Sequence, residues 1–202
     1  MTKHHFSWLA LGDSYTIGEG VPLYHSYPYQ TLQILRKNKL HFHAPEVIAQ
    51  TGWTSFELAD HLLHHIISDQ YDFVTLLIGV NNQYRNLPIE SYTTDLHLLI
   101  KKALNLVGGN SQRVILLSIP DWGVTPFAQD RDSTAIATAI NQFNQAKAST
   151  ALHYGINCID ITPATRLAKQ DHNLLTTDQL HPSGSAYSIW ANLLAAQIAS
   201  VL

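Results

Sequence analysis

A three-layer α/β/α sandwich around a five-stranded parallel sheet is the fold class this sequence predicts. Three observations lead there. Apolar runs of strand length alternate along the chain with segments of helical periodicity. The runs are continuous rather than alternating, as in strands covered by helices on both faces. No internal repeat, low-complexity stretch or linker interrupts the alternation, and 202 residues suit one such domain, 1–202.

The strands are predicted at Phe6–Leu11, Val47–Ala49, Phe73–Ile78, Val114–Ile119 and Ile156–Ile161. The helices are predicted at Tyr27–Lys37, Ser55–Ile67, Ile89–Val107, Ala135–His153 and Ser185–Val201. In the second helix Thr54 and Glu57 have capping-box spacing. Ala59, Leu62, Leu63, Ile66 and Ile67 recur at helical intervals as its core face, and His61, His64 and His65 fall largely opposite. In the last helix the expected stripe is Ala186, Ile189, Trp190, Leu193, Leu194 and Ile198, with Ser183 or Ser185 as cap.

Composition narrows the function classes. Hydrophobic residues make up 46%, enough for a full core, and the net charge of −3 comes without a Lys/Arg cluster, which argues against a nucleic-acid partner. Cys158 is the single cysteine and sits in an apolar run, so it reads as a buried inert thiol. No stretch reaches membrane-spanning length. Met1-Thr2-Lys3-His4-His5 leads straight into the first strand without a secretory pattern, which points to the cytosol. His61, His64 and His65 lack the carboxylate or cysteine of a zinc set, and no metal or other cofactor is expected.

In a parallel sheet, ligands bind beyond the carboxyl ends of the strands. Gly12-Asp13-Ser14-Tyr15-Thr16-Ile17-Gly18 follows the first strand, so Ser14 stands at a strand tip in a glycine-punctuated turn. A serine hydroxyl attacks only when a neighbouring base takes its proton. His181 is the candidate base, and Asp178, three residues earlier, can reach Nδ1 of the same ring and leave Nε2 for the serine. Negative charge building on a substrate carbonyl needs donors. The Ser14 N–H, the Gly52 N–H after the second strand and the Asn81 side chain after the third are the candidates. Asp121 and Trp122, after the fourth strand, are weaker pocket candidates, as are the aromatic residues Tyr24, Tyr27, Tyr29 and Trp53. Each motif alone also fits a turn or cap; four of them, in order at strand ends, favour the catalytic reading.

These residues resemble the SGNH hydrolases, also called GDSL esterases/lipases. Gly12-Asp13-Ser14-Tyr15 is similar to the first block of that family, with tyrosine in place of the usual leucine. Gly52 matches the second block, Gly79-Val80-Asn81 the third and Asp178-Gln179-Leu180-His181 the last. The family often has aspartate where this chain has Asn82. The resemblance implies a flavodoxin-like sandwich, a serine esterase with Ser14 as nucleophile, His181 as base and Asp178 orienting it, an oxyanion hole of Ser14, Gly52 and Asn81, and a small-molecule ester as substrate. An acyltransferase or a thioesterase would use the same nucleophile. A non-enzymatic mononucleotide-binding module is the distant alternative, because Asp13 and Glu19 would repel phosphate. A Gly-x-Ser-x-Gly elbow is absent, Thr16 standing at its second glycine. The sequence carries no signal for oligomeric state or for the particular ester.

Overall fold

The computed structural model describes residues 5–202. The reading of Met1 to His4 as lacking a secretory pattern therefore lies outside the described residues. Five strands form one sheet: β1 (Trp8–Asp13), β2 (Glu46–Gln50), β3 (Phe73–Leu77), β4 (Val114–Leu117) and β5 (Asn157–Ile159). Every pairing is parallel and the order is β2-β1-β3-β4-β5.

Among the described residues, eight α-helices connect or follow the strands: α1 (Ser14–Ile17), α2 (Tyr27–Lys37), α3 (Ser55–His64), α4 (Val80–Tyr84), α5 (Ile89–Leu106), α6 (Ser133–His153), α7 (Thr162–Arg166) and α8 (Gly184–Ser200). The long helices form two layers, α2 against α8 in one and α3, α5 and α6 in sequence in the other. This is the predicted α/β sandwich. Among the described residues no helix is long and apolar enough to cross a membrane.

The strand order has a functional consequence. It reverses direction about β1, which has β2 on one side and β3 on the other. Such a switch point opens a crevice where the loops after neighbouring strands diverge. Register sets what lies there. Asp13 pairs with Gln50 and Gly12 with Leu77, so the residues just beyond β1, β2 and β3 come out side by side. β1 is buried along its whole length, which fixes the position of its tip. Gly12 is required by close approach: a Cβ there would stand 2.5 Å from the Leu77 carbonyl oxygen and 2.1 Å from Thr16 Oγ1.

Local sequence explains most helix starts. The Thr54 hydroxyl accepts from the Glu57 N–H and the Glu57 carboxylate accepts from the Thr54 N–H, the predicted capping box, which contributes about 1 kcal/mol. Asp132 caps α6 by accepting from Thr134 and Ala135. At α8 the expectation fails in part. Ser183 occupies the cap position, but its side chain makes no cap bond; its hydroxyl pairs with that of Ser185.

Two predicted core faces turn out rotated. α3 ends at His64, short of Ile67, and buries Ser55, Leu58 and Leu62, leaving Leu63 and Ile66 exposed. In α8 the buried stripe runs through Tyr187, Ala191 and Ala195 as well as Trp190, Leu194 and Ile198, while Leu193 is exposed. In both helices apolar residues surround much of the cylinder, so the contact with neighbouring elements chooses the face. β5 is shorter than predicted and only half-buried, as an edge strand.

Candidate active site

The site is assembled from three strand tips and one loop. β1 ends at Asp13, whose carboxylate accepts from the Tyr15 N–H and caps the single turn α1. Gly18, in the left-handed region at φ 80°, ends that turn. Ser14 is thus the first residue of a turn held at both ends, and it is almost fully buried. Its Oγ lies 2.9 Å from His181 Nε2, although the two residues are 167 positions apart.

The loop before α8 brings the imidazole in. Asp178 accepts from the Leu180 and His181 amides and from the Thr176 hydroxyl, folding the loop back on itself. Gln179 takes φ 60° to allow this, a left-handed conformation that costs a residue other than glycine about 1 kcal/mol. The second Asp178 oxygen lies 2.6 Å from His181 Nδ1. The tautomer that satisfies both ring bonds carries its proton on Nδ1, donates to Asp178 and accepts the Ser14 hydroxyl at Nε2. Partial burial pushes the Asp178 carboxyl up, but the bonds from the His181 ring, Thr176 and the two amides outweigh it and bring it down to about 2. The carboxylate is thus ionised throughout the neutral range.

Gly52 occupies the third position of the turn closed by the Trp53 N–H on the Gln50 carbonyl. Its φ of +81° is the conformation that such a position reserves for glycine. Arg85 donates to the Gly52 carbonyl at 2.6 Å and pairs with Glu57, tying the turn to α3 and α4. Asn81 sits in the first turn of α4, and its Nδ2 donates to the Trp53 carbonyl at 2.9 Å. One amide hydrogen is held there, which fixes the side chain and leaves the second for a ligand.

Asn82 departs from the resembled pattern without leaving a gap. Its Oδ1 accepts from the Ser55 N–H and its Nδ2 donates to the Ser55 hydroxyl, which in turn donates to Asp95. An amide at this position makes Ser55 an acceptor and so frees its proton for Asp95.

Ser14, Gly52, Asn81 and His181 open onto one cleft of about 160 Å³. Trp122 lines it too, its Nε1 donating to Gln83 at 2.6 Å. Asp121 does not line it. That carboxylate turns inward to Gly123 and to Arg166, 2.8 Å away, and serves the loop's architecture. Nor do Tyr24, Tyr27, Tyr29 or Trp53 line the cleft: Tyr27 is wholly buried, Tyr24 is exposed beside His25, and the Trp53 ring packs on His61. The aromatic residues that do line it are Tyr15, Tyr84, Phe127 and Trp122. Tyr84 was discoverable, since it follows Asn81 by three residues on one helix. Phe127 reaches the cleft through two irregular turns that carry no periodic signal. The predicted triple of histidines resolves into a stacked His61–His65 pair and a surface His64–Asp60 contact. Among the described residues no group of three or more metal-ligating side chains is assembled.

Asp13 carries a pH signature. Burial raises its carboxyl to about 7, against the opposing pull of the Tyr15 amide and Lys147, and its Oδ2 has no hydrogen-bond partner among the described residues. The folded state therefore keeps a proton there up to about pH 7, whereas the unfolded chain releases it near 3.8. Stability falls as pH rises between those values and levels off above. Lys147, lowered by burial to about 8, titrates above that window. Asp13→Asn removes the slope, so its stability relative to the wild type is expected to rise by about 2–3 kcal/mol from pH 5 to pH 8. Thermal melts across that range test this; parallel curves would refute the assignment.

Comparison with known proteins accords with this architecture. A search of curated proteins found no sequence relative. Among solved structures, the acetylxylan esterase Axe2 from Geobacillus stearothermophilus is 19% identical, with 98% of this chain and 96% of that chain covered and a TM-score of 0.75. A lipase/acylhydrolase from Enterococcus faecalis is 21% identical over 98% and 97%, with a TM-score of 0.74. LAE5, a hydrolase from the metagenome of Lake Arreo, is 20% identical over 98% and 96%, with a TM-score of 0.73. At these identities the likeness is one of fold. The model of the GDSL-like lipase/acylhydrolase family matches residues 10–189, from β1 into α8. That span takes in all three strand tips and the Asp178–His181 loop, and the chain accordingly belongs to the GDSL-like lipase/acylhydrolase family of hydrolases acting on esters.

Proposed function

We propose that the protein is a serine esterase that works through an acyl-enzyme. The observation that carries this reading is the unbroken line from Asp178 through His181 to Ser14, with contacts of 2.6 and 2.9 Å. Ser14 Oγ attacks the ester carbonyl carbon while its proton passes to His181 Nε2. The resulting imidazolium is stabilised by ionised Asp178, which keeps the ring's orientation. Charge on the former carbonyl oxygen is met by the Ser14 and Gly52 N–H groups and by the second Asn81 amide hydrogen. The tetrahedral adduct collapses, the C–O bond to the alcohol breaks, and His181 returns the proton to the departing oxygen. Water then repeats the sequence on the acyl-enzyme, giving the acid and regenerating Ser14.

A fluorophosphonate probe followed by peptide mapping tests the nucleophile. Label on the Ser14 peptide is the expected result; label elsewhere, or none, defeats the proposal. Asn81→Ala should lower kcat by about 10²- to 10³-fold and change KM little, because the lost hydrogen bond forms chiefly in the transition state. A loss confined to KM would remove Asn81 from the oxyanion hole.

A further inference from the structure

Two cavities meet at Tyr15. The cleft holding Ser14 has a volume of about 160 Å³, and among the described residues no Asp, Glu, Lys or Arg lines it. Beside it lies a crevice of only about 20 Å³, walled by Ala164, Ala168, Leu174, Leu175 and Trp190 among others. Tyr15, Trp122 and Leu180 line both spaces, so these three side chains form the partition between them.

The partition is well held on two sides. Tyr15 is 4% exposed, with its ring 5.0 Å from that of His181 and 6.3 Å from that of Trp190. Trp122 is 5% exposed and bonded to Gln83, and the rings of Tyr84 and Phe127 pack edge-on against it at 5.2 and 6.2 Å. Neither swings away without breaking buried contacts. Leu180 is half-buried and held less firmly.

The size and chemistry of the cleft select a ligand class. An apolar cavity of about 150 Å³ accepts benzene. The cleft at Ser14 is of that size, which suits an acyl tail of roughly four to six carbons. Among the described residues its lining carries no cation to pair with a charged acid. Orientation follows from the reaction: the leaving oxygen must face His181 Nε2, and the acyl tail, on another bond of the same carbon, is left the part of the cleft that Tyr84, Trp122 and Phe127 line.

We propose that this cleft is the acyl pocket, that it selects esters of short apolar acids, and that Tyr15, with Trp122 and Leu180, sets the upper chain length by sealing off the crevice. The proposal rests on Ser14 being the nucleophile. Tyrosine at position 15 fills space that the leucine usual in the resembled motif would leave open, so the residue doubles as packing for His181 and as a stop for the acyl chain.

The test is kcat/KM for p-nitrophenyl acetate, butyrate, hexanoate, octanoate and decanoate, in wild type, Tyr15→Leu and Leu180→Ala, each preparation titrated with the fluorophosphonate probe. In wild type the expected course is a rise of about fourfold per methylene up to butyrate or hexanoate, then a fall of about tenfold or more by decanoate. In the variants the octanoate-to-butyrate ratio should rise by about tenfold, a ratio taken within one preparation and therefore independent of how much protein folds. A wild-type profile still climbing at decanoate, or an unchanged ratio in both variants that still label at Ser14, overturns the proposal. So does selectivity that follows the alcohol in a series of butyrate esters instead of the acid. Failure of wild type to label at Ser14 would instead bring down the underlying nucleophile assignment.

Discussion

Ser14→Ala is expected to lower kcat for a soluble ester such as p-nitrophenyl butyrate by about 10⁴-fold or more. The physical reason is that the Ser14 hydroxyl lies 2.9 Å from Nε2 of His181, the proposed base. In the proposed mechanism, removing the hydroxyl takes away the covalent route and leaves the binding surface and the proposed oxyanion donors, which by themselves give weak catalysis. The fold should be unaffected. Ser14 occupies the first position of α1, capped by the Asp13 side chain and not by its own, so alanine there costs only the buried bond to His181, about 1–3 kcal/mol. Turnover and thermal melting measured on one preparation decide the matter. Residual kcat above a hundredth of wild type, with the protein folded, would sink the assignment.

Asp178→Asn should have the second largest effect, a fall in kcat of about 10² to 10⁴. With the ring proton on Nδ1 the carboxylate accepts it at 2.6 Å, which in the proposed mechanism keeps Nε2 free to take the Ser14 proton. An amide offers a donor as readily as an acceptor, and the tautomer with its proton on Nε2 faces Ser14 with the wrong end. The Asp178 side chain is 40% exposed, so water competes for Nδ1 in the variant, which sets the lower limit of the range. The variant also separates chemistry from bracing, because asparagine keeps an oxygen for the Leu180 and His181 amides. Asp178→Ala loses both and should melt earlier as well.

The stability arm of that prediction has a definite sign. The folded-state value of about 2 lies below the ordinary 3.8, so the ionised carboxylate stabilises the native state above pH 3.8 and ceases to do so as pH falls through 2. Solvent screening at this exposure keeps the contribution below about 1 kcal/mol. The wild-type advantage over Asp178→Asn in melting temperature should be present at pH 5 and fade toward pH 2. An advantage that grows on acidification would contradict the origin assigned to the shift.

Legibility in the sequence varied with how local the signal was. The capping box at Thr54 and Glu57, the start and end of α2 and the strand cores were readable because each depends on neighbours a few residues away. The core face of α3 was not. Leu62 and Leu63 are equally apolar, and only the packing of α3 against α5 decides that Leu62 is buried and Leu63 exposed. Asp121 illustrates the same limit at the site. Its place after β4 was readable, but the partner that draws its carboxylate inward, Arg166, comes 45 residues later.

What this sequence determined by itself is an alternating α/β chain with chemistry-bearing residues just past its strands, because strand and helix periods, caps and glycine turns are written in short stretches. The tertiary structure alone decided that the order β2-β1-β3-β4-β5 sets three of those tips side by side. It also decided that the Asp178 loop returns to β1 and that Tyr15, Trp122 and Leu180 line both the cleft and the crevice beside it. Distances across 167 residues depend on the sum of all packing between them, and no local pattern carries that sum.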